Sequence, residues 1–243
     1  MTILVVGASG ATGHLLTREL LARGHEVRII VRSRERLPED LREHAALTVA
    51  EASLLDLSGA ELAMQVADCD AVASCLGHNL TFRGIYGSPR RLVTEAARRL
   101  IEAIRSHKPE RPVKYVLMNT TGVRNRDLRE KISFAQKVVI FLLRTLLPPH
   151  ADNEEAADFL RTRIGQIDAE IEWAAVRPDG LINADQPSPI EVHPSPTRSA
   201  IFNAGKTSRV NVAHFMADLV TEPELWAEWK GKMPVVYNRT DDA

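Results

Sequence analysis

The chain has 243 residues, 44% of them hydrophobic, with 31 basic against 32 acidic residues and a formal net charge of −1. That length and composition fit one large globular domain with a substantial core. The charge balance argues against a nucleic-acid-binding surface, which carries a basic excess, and no apolar run reaches the roughly 18 residues of a membrane span.

Residues 3–6 form an apolar, β-rich run that passes directly into Gly7-Ala8-Ser9-Gly10-Ala11-Thr12-Gly13 and then into a helical pattern over 11–23. A strand, a tight glycine turn and a helix N-terminus together present unpaired backbone N–H groups and a helix dipole to an anion, typically a pyrophosphate. In this arrangement Gly7 makes the sharp turn, Gly10 admits the phosphates to the backbone, and Gly13 packs the helix against the strand. Ser9 and Thr12 add hydroxyls, and Ala11 completes the loop. The second strand, 26–31, ends "RIIVRSRERL". A free ribose 2′-hydroxyl is usually met here by Asp or Glu; Arg32 instead suits a 2′-phosphate, which predicts NADP(H) over NAD(H). Arg34 is either a second such contact or part of a solvated helix start.

Further strands are predicted at 46–49, 71–75, 113–118, 171–176 and 234–237, and further helices at 57–66, 89–106, 127–146, 151–164 and 211–220. Most of the strands are apolar on successive residues, as in a parallel sheet covered on both faces. In the helix over 89–106, Pro89 suits the first turn, and Leu92, Ala96, Leu100 and Ile104 share a face. The alternation predicts an α/β fold: a single-domain, Rossmann-like, doubly wound sheet over residues 1–243, mostly parallel and flanked by helices. The regularity breaks at 176–210, a Pro-rich segment that reads as an insertion over the carboxyl ends of the strands. It either walls a substrate pocket, the preferred reading, or is a surface excursion without a role.

GASGATG after the first strand, "VR" closing the second, "WAAVRPDGL" and "SRVNVAHFMADLV" together resemble the atypical short-chain dehydrogenase/reductase superfamily, most closely its NmrA-like, NAD(P)H-binding branch, which includes flavin and biliverdin reductases. The resemblance implies further cofactor contacts. Asp56 would meet the adenine amino group, with Leu57 beside it, and Cys75, Leu76 and Gly77 would run along the adenosine ribose. Read from local pattern alone, Asp56 is a helix N-terminal acid.

The superfamily's usual Tyr-x-x-x-Lys pair is missing: Arg90, Asn119 and Asp241 stand four residues after Tyr86, Tyr115 and Tyr237. Tyr115 reads as core, and Glu155 falls at the usual Lys position. Lys137, four residues after Ser133, reads as a snorkelling side chain. No proton donor is assigned. Asn119, Thr120 and Thr121, at the end of the fifth strand, are the catalytic candidates: they either hydrogen-bond an acceptor carbonyl or the nicotinamide ribose, or serve as turn residues. His78 and Asn79 follow the fourth strand and could face the pocket, although a lone loop His is more often solvated. His150 and Asn153 could contact substrate. His193 and His214 lack metal-ligand spacing, and no metal is expected.

Cys69 and Cys75 form neither a disulfide framework nor a zinc pattern and read as reduced, buried small residues. With no basic leader and apolar stretch at the start, a cytoplasmic protein is expected. The apolar stretch over 134–147 is open to three readings: a buried pocket wall, which is preferred, a homodimer contact, or a membrane-surface helix. The sequence thus supports an NADPH-dependent reductase of a flat hydrophobic small-molecule acceptor such as a flavin, quinone or related carbonyl compound. The alternative is a non-catalytic dinucleotide sensor of the NmrA-like type; a sugar-nucleotide epimerase is a weaker third.

Overall fold

The first strand is apolar on every residue after Thr2 because both of its faces are covered. β1 (Thr2–Val6) buries Ile3, Leu4, Val5 and Val6 completely. Successive side chains of a strand point to opposite faces, so Leu4 and Val6 join one core cluster, and Ile3 and Val5 join the other. The same division recurs in β5 (Val113–Met118), where Tyr115 and Leu117 face one cluster and Val116 the other.

The computed structural model describes residues 1–78, 81, 85–128, 130 and 133–239. Among them, eight strands form one sheet in the order β3-β2-β1-β4-β5-β6-β10-β8. The strands are β2 (Glu26–Val31), β3 (Leu47–Glu51), β4 (Ala71–Ser74), β6 (Ile171–Pro178), β8 (Ile190–His193) and β10 (Val235–Asn238), together with β1 and β5. All pairings are parallel except β8 with β10. A separate parallel pair joins β7 (Gly180–Ile182) and β9 (Lys206–Ser208). The predicted doubly wound, mostly parallel sheet is therefore present, and the strand order reverses between β1 and β4, where ligands bind in open α/β sheets.

The helices on one face are α1 (Gly13–Ala22), followed in the chain by the short α2 (Glu39–Arg42), and α7 (Arg209–Thr221); α8 (Pro223–Trp229) follows α7. On the other face lie α3 (Gly59–Val66), α4 (Leu92–Ser106) and α6 (Pro148–Phe159). α4 buries Val93, Ala96, Ala97, Leu100, Ile101, Ala103 and Ile104, each larger aliphatic side chain contributing about 1.5–3 kcal/mol.

Several boundaries differ from the sequence reading. α4 begins at Leu92, so Pro89 lies ahead of the first turn. α3 begins at Gly59 because Ser58 and Glu61 form a capping box, with Glu61 Oε2 2.7 Å from the Ser58 amide; Asp56 therefore lies outside the helix. The helix predicted over 127–146 is α5 (Phe134–Leu146), capped by Ser133, whose hydroxyl accepts from the Gln136 amide at 3.1 Å. Residues 129, 131 and 132 of that prediction lie outside the described residues. α2, β7, β8, β9 and α8 were not predicted: the strands are three or four residues long and lie in or beside the Pro-rich segment, below the length at which alternation is legible.

The preferred reading of 134–147 as a buried pocket wall is corrected. In α5 only Gln136 and Ile140 are buried, while Phe134 is 81% and Phe141 65% exposed, and Val138, Leu142 and Leu146 are also exposed. The helix packs against α6, and among the described residues no further layer covers its apolar face. Among the described residues, no helix is long and apolar enough to cross a membrane.

Candidate functional site

A cleft of about 930 Å³ opens at the carboxyl ends of β1, β2, β3 and β4, at the switch point. Its floor is the glycine turn. Gly7 has φ +81°, and a Cβ there would stand 2.6 Å from the carbonyl carbon of Cys75; only glycine fits that turn. The Gly10 amide closes the turn onto the Gly7 carbonyl at 2.9 Å. Gly7, Ser9 and Gly10 line the cleft. Ala11, Thr12 and Gly13 do not line it: Ala11 is exposed, Thr12 precedes α1 and is 6% exposed, and a side chain on Gly13 would run into the Gly7 carbonyl.

Arg32 lines the cleft past the end of β2, and so does Arg36, which the sequence reading did not select. Arg34 turns away and donates to the carbonyl of Arg42. A short 3₁₀ turn over Arg34–Arg36 produces this division; arginines two residues apart on such a turn diverge, and the sequence alone gave no reason to pair 32 with 36. Asp56 lines the cleft beyond β3 on a turn held from outside by Arg99, which donates to the carbonyl of Leu54 at 3.3 Å and to those of Leu55 and Leu57. Leu57 itself packs on the core.

Cys75, Leu76 and Gly77 form the opposite wall after β4. A Cβ on Gly77 would meet nothing within 4 Å, and one on Gly10 only the Gly7 carbonyl oxygen at 3.1 Å. Both glycines thus present bare backbone to the cleft, a cradle an elongated phosphate-bearing ligand can approach closely. The Cys75 thiol points toward α7, with Sγ 4.0 Å from the sulfur of Met216, and burial pushes its pKa up to about 12. Cys69 is buried and raised to about 11 for the same reason, so both thiols stay protonated near neutral pH.

His78 lines the cleft and is not solvated. Its ring is 4% exposed, and Nε2 lies 2.8 Å from Oδ2 of the fully buried Asp152 of α6. The Asp152 carboxylate also accepts from the Val93 amide at 2.7 Å and the Thr94 amide at 3.0 Å, capping α4 from a different helix. Burial alone would raise the Asp152 carboxyl; the hydrogen bonds from His78, Thr94 and Val93 hold it below its ordinary value. Asp152 was missed, because a carboxylate capping a helix some sixty residues away leaves no local signature. Asn79 lies outside the described residues.

At the end of β5 the three polar candidates are engaged within the protein. Asn119 is buried, its Nδ2 donating to the Asn153 carbonyl at 3.0 Å and its Oδ1 accepting from the Thr120 amide at 2.8 Å. The Thr120 hydroxyl accepts from the Gly122 amide at 3.3 Å. Thr121 donates to Oδ1 of Asp179 at 3.0 Å. None of the three lines the cleft. His150 packs 3.4 Å from where a Gly122 Cβ would be, and burial lowers its pKa. Glu155 pairs with Arg91 at 3.1 Å on the surface. Tyr115 is fully buried in β5.

The arginine of "WAAVRPDGL" is structural. Arg177, 0% exposed, forms a two-pronged pair with Glu130 at 2.8 and 3.2 Å and donates to the carbonyls of Met233, Val123 and Pro194. It ties the loop after β5 to the Pro-rich segment, whose Asp179 also accepts from the Gly205 amide at 2.8 Å.

A parallel sheet with this strand order, carrying a glycine turn at its switch point, defines a Rossmann-type fold. The family described as NAD(P)H-binding matches residues 7–223, and the chain belongs to it. It is 34% identical over 114 residues to the 3-diazoavenalumate denitrifying reductase of a Streptomyces species, a match spanning 44% of this chain and 34% of that protein; the chain thus covers about a third of that relative's length. Among solved structures, the anaerobillin reductase ChuY of Escherichia coli O157:H7 superimposes with a TM-score of 0.69 at 16% identity, covering 100% of this chain and 98% of that one. A short-chain dehydrogenase/reductase of Veillonella parvula in complex with NADP gives 0.68 at 18% identity, covering 100% and 96%. These two likenesses show the shared fold. The resemblance read from the glycine turn and the later motifs is borne out at the level of the NAD(P)H-binding family.

Proposed function

We propose that the protein is a cytoplasmic NADPH-dependent reductase that transfers hydride to a flat, hydrophobic acceptor such as a flavin, a quinone or a related carbonyl compound. The observation that carries this reading is the pair Arg32 and Arg36 at one end of the cleft whose floor is the glycine turn. Two guanidiniums suit a 2′-phosphate through charge-assisted hydrogen bonds. The backbone of Gly7 to Gly13, with Ser9 at the rim, holds the diphosphate; Asp56 meets the adenine, and Cys75, Leu76 and Gly77 run along its ribose. Bound in this way, the nicotinamide supplies hydride chemistry, and the protein supplies position and the exclusion of competing reactions.

The acceptor lies beyond the ends of β4 and β5, beside Asn119 to Thr121, with the 176–210 segment as its cover. The reductase names of the Streptomyces relative and of ChuY support reductive chemistry. The exposed apolar face of α5 serves self-association into a homodimer.

The test is NADPH oxidation against a panel of flavins, quinones and carbonyl compounds, with NADH in parallel. Turnover that prefers NADPH is the expected result. A protein that binds NADPH and oxidises it against no acceptor is instead a dinucleotide sensor. That second reading is favoured by the internal engagement of Asn119 and Thr121 and by the missing Tyr-x-x-x-Lys pair.

A further inference from the structure

We propose that His78 is the proton donor of the reaction and that Asp152 is the residue that positions it; this rests on the reductase reading above. Reduction of a double bond needs a proton as well as a hydride, for the atom that receives the displaced electron pair. Among the described residues lining the cleft, the titratable groups are Arg32, Arg36, Asp56, Cys75 and His78. An arginine does not release its proton in a protein. Asp56 is an exposed carboxylate beyond β3, at the far side of the cleft from β5. The Cys75 sulfur faces Met216. His78 remains. It follows β4, and its partner Asp152 adjoins Asn153, whose carbonyl accepts from Asn119 at the end of β5, so the ring stands on the β5 side of the cleft.

The ring is held for this task. Nε2 is committed to Asp152 at 2.8 Å, which leaves Nδ1 as the nitrogen for the cleft. The carboxylate is itself fixed by the Val93 and Thr94 amides, and the Thr94 hydroxyl donates to the Asp152 carbonyl at 2.9 Å. An imidazolium here has its counter-ion on one edge and offers Nδ1–H on the other, the orientation role a carboxylate plays in His-based acid–base sites. With a bound nicotinamide as the hydride source, the acceptor atom that receives the displaced π pair would take the Nδ1 proton of His78. The neutral imidazole keeps its Nε2–H on Asp152 and regains the Nδ1 proton from water.

The test compares wild type with H78Q, H78A and D152N. For H78Q we expect unchanged NADPH affinity by calorimetry, unchanged KM for the acceptor, and a kcat lowered roughly 100-fold, within the usual range for a lost general acid. Added imidazole should restore turnover of H78A. Independently of turnover, the cofactor-free wild type should show a low-field imidazole N–H proton resonance that is absent from H78Q and from a folded D152N. Full kcat in H78Q, loss of NADPH binding together with kcat, or no rescue by imidazole overturns the assignment while leaving the reductase reading standing. Wild type that binds NADPH but reduces no acceptor overturns both.

Discussion

Gly13, the first residue of α1, lies against the carbonyl oxygen of Gly7 so closely that a Cβ on it would overlap that oxygen and approach the Gly7 carbonyl carbon at 2.7 Å. The third glycine of the turn is therefore required by the protein's own backbone, whereas Gly77, across the cleft, has open space where its side chain would be. The two should respond differently to alanine. Gly13→Ala is expected to destabilise the fold by about 1–3 kcal/mol, the cost of overpacking a tight contact, as a lowered midpoint in urea. Gly77→Ala should leave unfolding within about 0.5 kcal/mol of wild type while weakening NADPH binding, because its methyl occupies the cleft.

Arg177 and Glu130 form a buried ion pair, with side chains 0% and 4% exposed. Arg177→Leu leaves the Glu130 carboxylate without its partner in a site closed to water. An unpaired buried charge costs about 3–5 kcal/mol. Chemical denaturation should show that loss, and Glu130→Gln combined with Arg177→Leu should recover part of it.

Asp152 makes part of the stability depend on pH. Its carboxyl is held below its ordinary value in the folded protein by His78 and two amides of α4. The unfolded value is about 3.9, so this contribution is fully present above that pH and lost as pH falls through the lower folded value. Urea unfolding should show a loss of stability below about pH 4 that is smaller in Asp152→Asn. At neutral pH, Asp152→Ala should cost about 1–3 kcal/mol through the uncapped Val93 and Thr94 amides.

The fold was legible because its signals are local. β2 and β5 match their predicted limits, and the glycine turn carries its geometry in its own residues. Arg32 could be placed because it directly follows a strand that fixes its position. The remaining site features arise from tertiary contacts. Arg36 reaches the cleft through a turn whose shape the sequence did not display, and Asp152 meets His78 across 74 positions. Asn119 and Thr121 looked available, and their partners Asn153 and Asp179 come from segments far along the chain. The apolar composition of α5 was read correctly, but composition does not tell whether such a helix is covered.

The uncovered face of α5, with Phe134 and Phe141 the most exposed of its apolar side chains, gives a prediction about assembly. Phe141→Asp should shift the protein from dimer to monomer in sedimentation velocity, with stability changed by no more than about 0.5 kcal/mol, as for a surface substitution. A wild-type protein that sediments as a monomer at high concentration removes self-association from the account.

Calorimetry with NADPH and NADH, on wild type and on Arg32→Ala and Arg36→Ala, tests the central claim most directly: that the glycine turn and the two arginines hold opposite parts of one phosphorylated dinucleotide. Saturable binding is predicted, tighter for NADPH. Each substitution should lower NADPH affinity about 10- to 100-fold, the equivalent of roughly 1.5–3 kcal/mol for a charged hydrogen bond, and leave NADH unchanged. Folded wild-type protein that takes up neither nucleotide, or an NADPH preference that survives both substitutions, would contradict it.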